Sequence, residues 1–263
     1  MSKISVYIIS YNEEKKIEAA IQSVIGWADE VLIFDSFSTD RTIEICNRYP
    51  VKIIQIPFEG FGKLRNDALE YCQYPWVFSL DSDERCTPEA REEILQIIRE
   101  DREKGPVAYY VPRRNFFLGQ WIRYSDWYPD YRQPQLFRKG KLIYTLLSVH
   151  ERFEAEGAIG KMKNPIWQIP FSNLEQMIHK ANRYSSLGAQ KLKSKKKGGI
   201  TIGLVHAAAE FFQTYIIKRG LLDGRAGFVI AFYNGISTFY KYAKLEELQK
   251  GWQDPSPEWP QGR

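Results

Sequence analysis

The feature that most constrains the fold is an alternation in the first hundred residues. Short, mostly apolar runs take turns with segments whose apolar residues recur three or four positions apart. The runs fall at 4–10, 31–34, 52–56 and 76–80. Between the first two, Ile17, Ala20, Ile21, Val24 and Ile25 share one helix face, and further helices are expected over 41–49, 62–72 and 88–101. A strand that is apolar along its whole length is covered on both faces, and strands joined by helices run parallel. The expected fold class is therefore α/β, a mostly parallel sheet with helices on both faces. Right-handed crossovers then bring every strand's carboxyl end to one edge.

Polar residues fall at that edge. Tyr11-Asn12-Glu13-Glu14 follows the first run, Asp35 through Asp40 the second, and Asp81-Ser82-Asp83 the fourth. Three acidic clusters on one rim repel each other unless a ligand offsets them. Two carboxylates one residue apart suit a hard divalent cation, Mg²⁺ or Mn²⁺, which takes oxygen ligands and leaves positions for phosphates. The plainer reading makes each cluster a helix cap, with Asp81-Ser82-Asp83 a solvated turn before a helix begun by Thr87 and Pro88. Joint placement favours a nucleotide-and-metal site. Lys63 and Arg65, beside Asn66, add cations able to face a diphosphate. The chain has neither G-x-G-x-x-G nor G-x-x-x-x-G-K-[ST], which argues against dinucleotide binding and P-loop hydrolysis.

In order and spacing, Ile8-Ile9-Ser10-Tyr11-Asn12-Glu13-Glu14, Asp35-Ser36-Phe37-Ser38-Thr39-Asp40, Arg65-Asn66 and Asp81-Ser82-Asp83 resemble a family 2 glycosyltransferase of the GT-A fold, a Rossmann-like sheet. Pro129-Asp130, Gln135-Leu136-Phe137-Arg138 and Val149-His150-Glu151 resemble the branch that holds lipopolysaccharide core transferases. The resemblance implies a donor-nucleotide site made of Tyr11, Asn12, Glu13, Asp35, Lys63, Arg65 and Asp81. In it Asp35 meets the nucleobase, Asp81 the ribose or sugar, and Arg65 faces the nucleotide. Asp83 and Asp81 would hold the divalent metal. Transfer would invert the anomeric centre and needs a general base. The family's commoner Glu-Asp pair is absent, so the candidates are Glu151, then Asp130, then Asp126. A UDP-linked donor and a lipid-borne glycan acceptor are expected.

His150 either completes the metal shell or is a half-buried histidine bonded to backbone. His179 and His206 lie on helical patterns and read as structural. The stretch from Tyr109 to Tyr131 is aromatic and cationic, and either receives the acceptor sugar or packs a core edge. Nucleic acid is not expected beside so acidic a rim.

Charge divides the chain. Residues 1–155 carry 21 Lys/Arg against 24 Asp/Glu, and residues 156–250 carry 15 against 6. The expected organisation is a catalytic domain over 1–155, a basic helical region over 156–250, and a tail over 251–263. Two apolar segments, 200–217 and 226–240, flank the basic turn 218–225, and Lys191, Lys193 and Lys195 to Lys197 precede them. Such helices suit a membrane interface better than a full span. The three cysteines show no metal-ligand spacing, and the amino terminus shows no signal peptide, so the expected location is cytoplasmic, peripheral on the inner membrane face. The competing classes are a nucleotidyltransferase, which would carry a Gly-rich basic loop after the first strand, and a non-catalytic glycan- or lipid-binding module.

Overall fold

The computed structural model describes residues 2–100, 105–145 and 152–251. Strands β1 (Ile4–Ser10), β2 (Glu30–Asp35), β3 (Lys52–Gln55) and β4 (Trp76–Asp81) form from the four apolar runs. They alternate with helices α1 (Ile17–Gln22), α2 (Thr42–Cys46) and α3 (Phe61–Tyr71). A two-residue strand β5 (Glu84–Arg85) precedes α4 (Pro88–Glu100). Short strands follow: β6 (Ala108–Tyr110), β7 (Arg113–Phe117), β8 (Gln120–Trp121), β9 (Pro134–Arg138) and β10 (Leu142–Tyr144). After these come β11 (Phe153–Ala155), β12 (Ile159–Lys161) and β13 (Ile166–Gln168), then α5 (Leu174–Leu192), α6 (Ile200–Phe212) and α7 (Gly224–Lys250).

The main sheet has seven strands in the order β12-β6-β9-β4-β1-β2-β3. β1 to β4 are mutually parallel, as expected, and β9 enters antiparallel beside β4. Period-two alternation splits β1 cleanly. Ile4, Val6 and Ile8 pack under Ile17, Ile21, Ile94 and Ile98 of α1 and α4, while Tyr7 and Ile9 pack with Leu64, Ala68 and Leu69 of α3. A second sheet, β5-β13-β7-β8, borrows β5 from just beyond the Asp81-Ser82-Asp83 motif.

The chain divides into two compact units, residues 1–121 with 127–170, and residues 122–126 with 171–263. Residues 156–170, expected with the helical region, carry β12 and β13, and these pair with β6 and β7 of the first unit. In the second unit α5 and α6 each lie along α7. The α7 helix runs well past the expected end at 240, because Tyr242 and Leu245 bury against Ala189 of α5. Asp223, just before α7, accepts hydrogen bonds from the Arg123 and Tyr124 N–H groups at 3.0 Å each, which ties segment 122–126 to this unit.

Candidate active site

The carboxyl ends of β1, β2 and β4 lie side by side. Ser10 is level with Asp35 and Ile9 with Asp81. The two aspartates thus flank β1, two strand spacings or about 10 Å apart. Asp83 follows in the turn between β4 and β5.

On the β2 side, buried Asp35 organises the loop. Its carboxylate accepts the Ser38 N–H at 2.8 Å, the Ser38 hydroxyl, and Gln55 Nε2 at 3.3 Å. Ser38 Oγ in turn accepts the Asn12 N–H at 2.8 Å, and Asn12 Oδ1 accepts the Thr39 N–H at 2.8 Å. The Glu13 N–H donates to Thr42 Oγ1 at 2.8 Å and the Glu14 N–H to Asp40 Oδ2 at 3.1 Å. The loops after β1 and β2 are therefore stitched together, with Asn12 and Phe37 held at φ 52° and 58°, a left-handed conformation that asparagine tolerates and phenylalanine seldom adopts. Burial works against the Asp40 charge, yet hydrogen bonds from Thr42 and the Glu14 N–H hold its carboxyl below the usual range. Tyr11 and Phe37 remain more than half exposed, so aromatic faces are open to a ligand here.

On the β4 side, buried Arg65 reaches from α3 and donates to Ser79 Oγ at 2.7 Å and to Asp81 Oδ1 at 2.8 Å. Burial disfavours the Asp81 charge, but Arg65 and Arg113 outweigh it and hold the carboxyl below its ordinary value. For Asp83 the pull of the cation Lys16 is too weak to offset what opposes its charge. Burial, and then the charge of Asp81, push its carboxyl up, and the donors to its side chain are the Gln168 Nε2 contacts at 3.2 Å to both oxygens. Glu84, fully buried, accepts the Asp81 N–H at 2.9 Å, Gln135 Nε2 at 2.7 Å and Arg113 Nε at 2.5 Å. Burial pushes the Glu84 carboxyl up to about 7 against the pull of Arg113, and Asp81 and Asp83 add to the rise.

Among the described residues, no group of three or more His, Cys, Asp or Glu side chains is arranged to hold a metal ion. The donor set still fits one. Asp83 is an upshifted carboxylate beside a second carboxylate, which a cation would relieve. Hard cations such as Mg²⁺ are commonly held by one or two carboxylates together with substrate phosphates, not by an all-protein cage. Asp83, with Asp81 beside it, would be the protein's share.

The remaining expected site residues are distributed as follows. Glu13 lies within 3.5 Å of Lys16, and burial raises its carboxyl despite that partner. Lys63 is turned along α3 to Asp67 at 2.8 Å. Asp130 is mostly buried, held by Arg132 Nη2 at 2.7 Å and Asn115 Nδ2 at 3.2 Å. Asp126 belongs to the second unit and pairs with Lys218 at 2.9 Å. His150 and Glu151 lie outside the described residues. Arg113, within the stretch expected either to receive the acceptor sugar or to pack a core edge, is buried against Glu84. His206 stacks on Tyr242 with ring centroids 4.4 Å apart, consistent with a structural role.

The sequence reading missed Ser79, Glu84, Asn115, Gln135 and Gln168. Glu84 carried a signal, a third carboxylate in Asp81-Ser82-Asp83-Glu84-Arg85. Ser79 lies inside the run that forms β4 and Gln135 inside the Gln135-Leu136-Phe137-Arg138 motif, neither with a role of its own, and Asn115 and Gln168 sit in short strands with no pattern to mark them.

A family model described as glycosyl transferase family 2 matches residues 5–162. An uncharacterized glycosyltransferase of Rickettsia bellii (strain RML369-C) is 28% identical over 257 residues, covering 94% of this chain and 87% of the relative. The lipopolysaccharide core biosynthesis glycosyltransferase LpsC of Rhizobium meliloti (strain 1021) is 29% identical over 250 residues, covering 92% and 91%. The solved structure of S. aureus TarS 1-349 in complex with UDP-GlcNAc matches with a TM-score of 0.50 at 15% identity, covering 95% of this chain and 92% of that one. That likeness supports a GT-A type fold. With the model match spanning most of the chain and the strand-end carboxylates in place, the chain belongs to glycosyltransferase family 2.

Proposed function

We propose that this glycosyltransferase is inverting and metal-dependent, and that it moves a sugar from a UDP-linked donor to a lipid-borne glycan of the lipopolysaccharide core type. The observation that carries this reading is the row of carboxylates at one sheet edge, Asp35, Asp81 and Asp83, each at or just past a strand end. Departure of a nucleoside diphosphate leaves negative charge on its oxygens and positive charge on the anomeric carbon, so electrostatic stabilisation dominates. A divalent cation on Asp83 would supply the Lewis acid for the leaving diphosphate. The stitched Tyr11–Glu13 and Asp35–Asp40 loops form the wall of the base pocket. Asp81, kept ionised by Arg65, accepts hydrogen bonds from ribose or sugar hydroxyls. Glu151, or failing it Asp130, takes the proton from the acceptor hydroxyl. The name of the Rhizobium meliloti relative supports the lipopolysaccharide acceptor.

The second unit supports work at the inner face of the cytoplasmic membrane. At Gly203 and Gly235 a Cβ would come within 3.1 Å of a carbonyl oxygen of the facing helix, so α6 and α7 meet through small residues. Leu204, Val205, Phe212, Ile217, Phe228 and Phe232 point outward and exposed. Small residues inside and large apolar ones outside suit a lipid environment. The segment Ile200–Ile217 is long and apolar enough to cross a membrane and is only 11% buried. His206, Glu210 and Gln213 along it favour lying in the interface. Lys191 to Lys197 and Lys218, Arg219 and Arg225 would draw it to anionic headgroups.

A screen of nucleotide sugars for Mn²⁺-dependent hydrolysis tests the reaction. One UDP-sugar should be cleaved by the native chain and not by Asp83→Ala. Cleavage of none, or undiminished cleavage by the variant, refutes the reading.

A further inference from the structure

The small sheet carries one row of polar side chains that crosses three strands. In the strand register Gln168 of β13 is level with Glu84 of β5 on one side and with Asn115 of β7 on the other. Side chains directly opposite across neighbouring strands project from the same face. All three are buried, with 0%, 4% and 2% exposure for Glu84, Gln168 and Asn115. Each holds a different aspartate of the candidate site. Glu84 Oε2 accepts the Asp81 N–H at 2.9 Å. Gln168 Nε2 donates to both oxygens of Asp83 at 3.2 Å, and the neighbouring Ile169 N–H donates to the Asp83 carbonyl at 2.9 Å. Asn115 Nδ2 donates to Asp130 Oδ2 at 3.2 Å and to the Trp127 carbonyl at 2.9 Å.

We infer that Glu84, Gln168 and Asn115 are positioning residues that fix Asp81, the cation-holding Asp83 and the second candidate base Asp130 in one rigid frame. The inference rests on the proposed reaction. Its second support lies in what the two amides give up. The Oε1 of Gln168 and the Oδ1 of Asn115 are buried with no hydrogen-bond partner among the described residues. Natural cores rarely leave such atoms unpaired. Here both amides aim their nitrogens at carboxylates, and the unpaired oxygens follow from that aim. Cost of this kind gathers where orientation serves function. Partners just outside a metal's ligands set the ligand's direction, and their loss typically costs 10–100-fold in affinity.

Two variants of the full chain separate the centre of the row from its β7 end. Gln168→Met keeps the shape and removes the amide. It should weaken Mn²⁺ binding measured by electron paramagnetic resonance with UDP present by about tenfold, and raise the Mn²⁺ concentration needed for half-maximal turnover by a similar factor. Asn115→Leu should leave Mn²⁺ binding unchanged and, where Glu151→Gln keeps transfer so that Asp130 is the base, lower kcat by about tenfold or more, with the donor KM unmoved. If Gln168→Met fails to fold, Gln168→Glu replaces it. A third carboxylate beside Asp83 should then tighten binding of Mn²⁺ alone. Native Mn²⁺ affinity in whichever Gln168 variant folds overturns the inference, as does a parallel loss of binding, kcat and melting temperature in both positions. Failure of the native chain to bind Mn²⁺ with UDP would instead sink the proposed reaction on which it rests.

Discussion

Replacing Arg113 by methionine is the sharpest test of the site's electrostatics. The side chains of Arg113 and Glu84 are 2% and 0% exposed, and they meet at 2.5 Å. Methionine matches much of the arginine stem and deletes the guanidinium. Removing one partner of a buried pair costs about 3–5 kcal/mol when the other charge must stay. Glu84 can escape by binding a proton, and this makes the cost depend on pH. Burial, opposed by Arg113 and assisted by Asp81 and Asp83, sets the native Glu84 pKa at about 7, against 4.5 for an ordinary glutamate. Without Arg113 it rises further. Below about 7 Glu84 is protonated in both folded proteins, so the variant loses only a hydrogen bond and some packing, about 1–2 kcal/mol. Above 7 the native Glu84 ionises beside its cation and the variant's does not. The penalty then grows by about 1.4 kcal/mol per pH unit until it reaches the full value. In the native chain the sign is the usual one for a raised acid: between 4.5 and 7 the folded state holds the extra proton, so this group's contribution falls as pH climbs. Urea denaturation of both proteins at pH 6 and pH 9 reads the difference directly. Equal penalties at the two pH values, or less than about 1 kcal/mol at pH 9, would refute the coupled-pair reasoning.

Asp83→Ala should lose donor cleavage yet melt within about 2 °C of the native chain, since removing an upshifted carboxylate beside Asp81 relieves repulsion while losing only weak contacts to Gln168. Asp83→Ala with wild-type turnover would remove the metal assignment. Arg65→Met should raise the Asp81 pKa and shift the acid limb of the kcat/KM profile upward; an unchanged limb would detach Asp81 from the reaction. Glu151→Gln should keep nucleotide binding and lose transfer, whereas full transfer would move the base to Asp130. Replacing Phe212 and Phe232 together by aspartate should release the protein from anionic vesicles in a flotation assay without lowering its melting temperature, because both side chains are exposed. Undiminished flotation counts against the interfacial helices.

The main sheet was legible because its strands obey the simplest rule. β1, β2 and β4 are mostly apolar and buried along nearly their whole length, and the helices between them repeat at helical spacing, so the carboxyl edge and its aspartates followed from topology. The small sheet breaks that rule. In β7 the buried positions are Arg113, Asn115 and Phe117, and in β13 the half-exposed Trp167 stands between buried Ile166 and Gln168. A strand that hides polar groups and shows an aromatic one cannot be recognised from hydropathy, because what stabilises it is the set of carboxylates its side chains meet. Lys63 and Arg65 illustrate a second limit. Their charge makes both able to face a diphosphate, but their directions are set by Asp67 one helical turn from Lys63, and by Ser79 and Asp81, which the fold brings to Arg65.

The bond from the Asn12 amide to Ser38, and its return from Thr39, has a consequence for how donor choice can change over generations or in an engineer's hands. Neither loop holds its form without the other. Grafting one alone from a relative with a different preference should yield a misfolded rim and not a new specificity. The transferable cassette is the pair, inserted together with the aspartate that anchors them both.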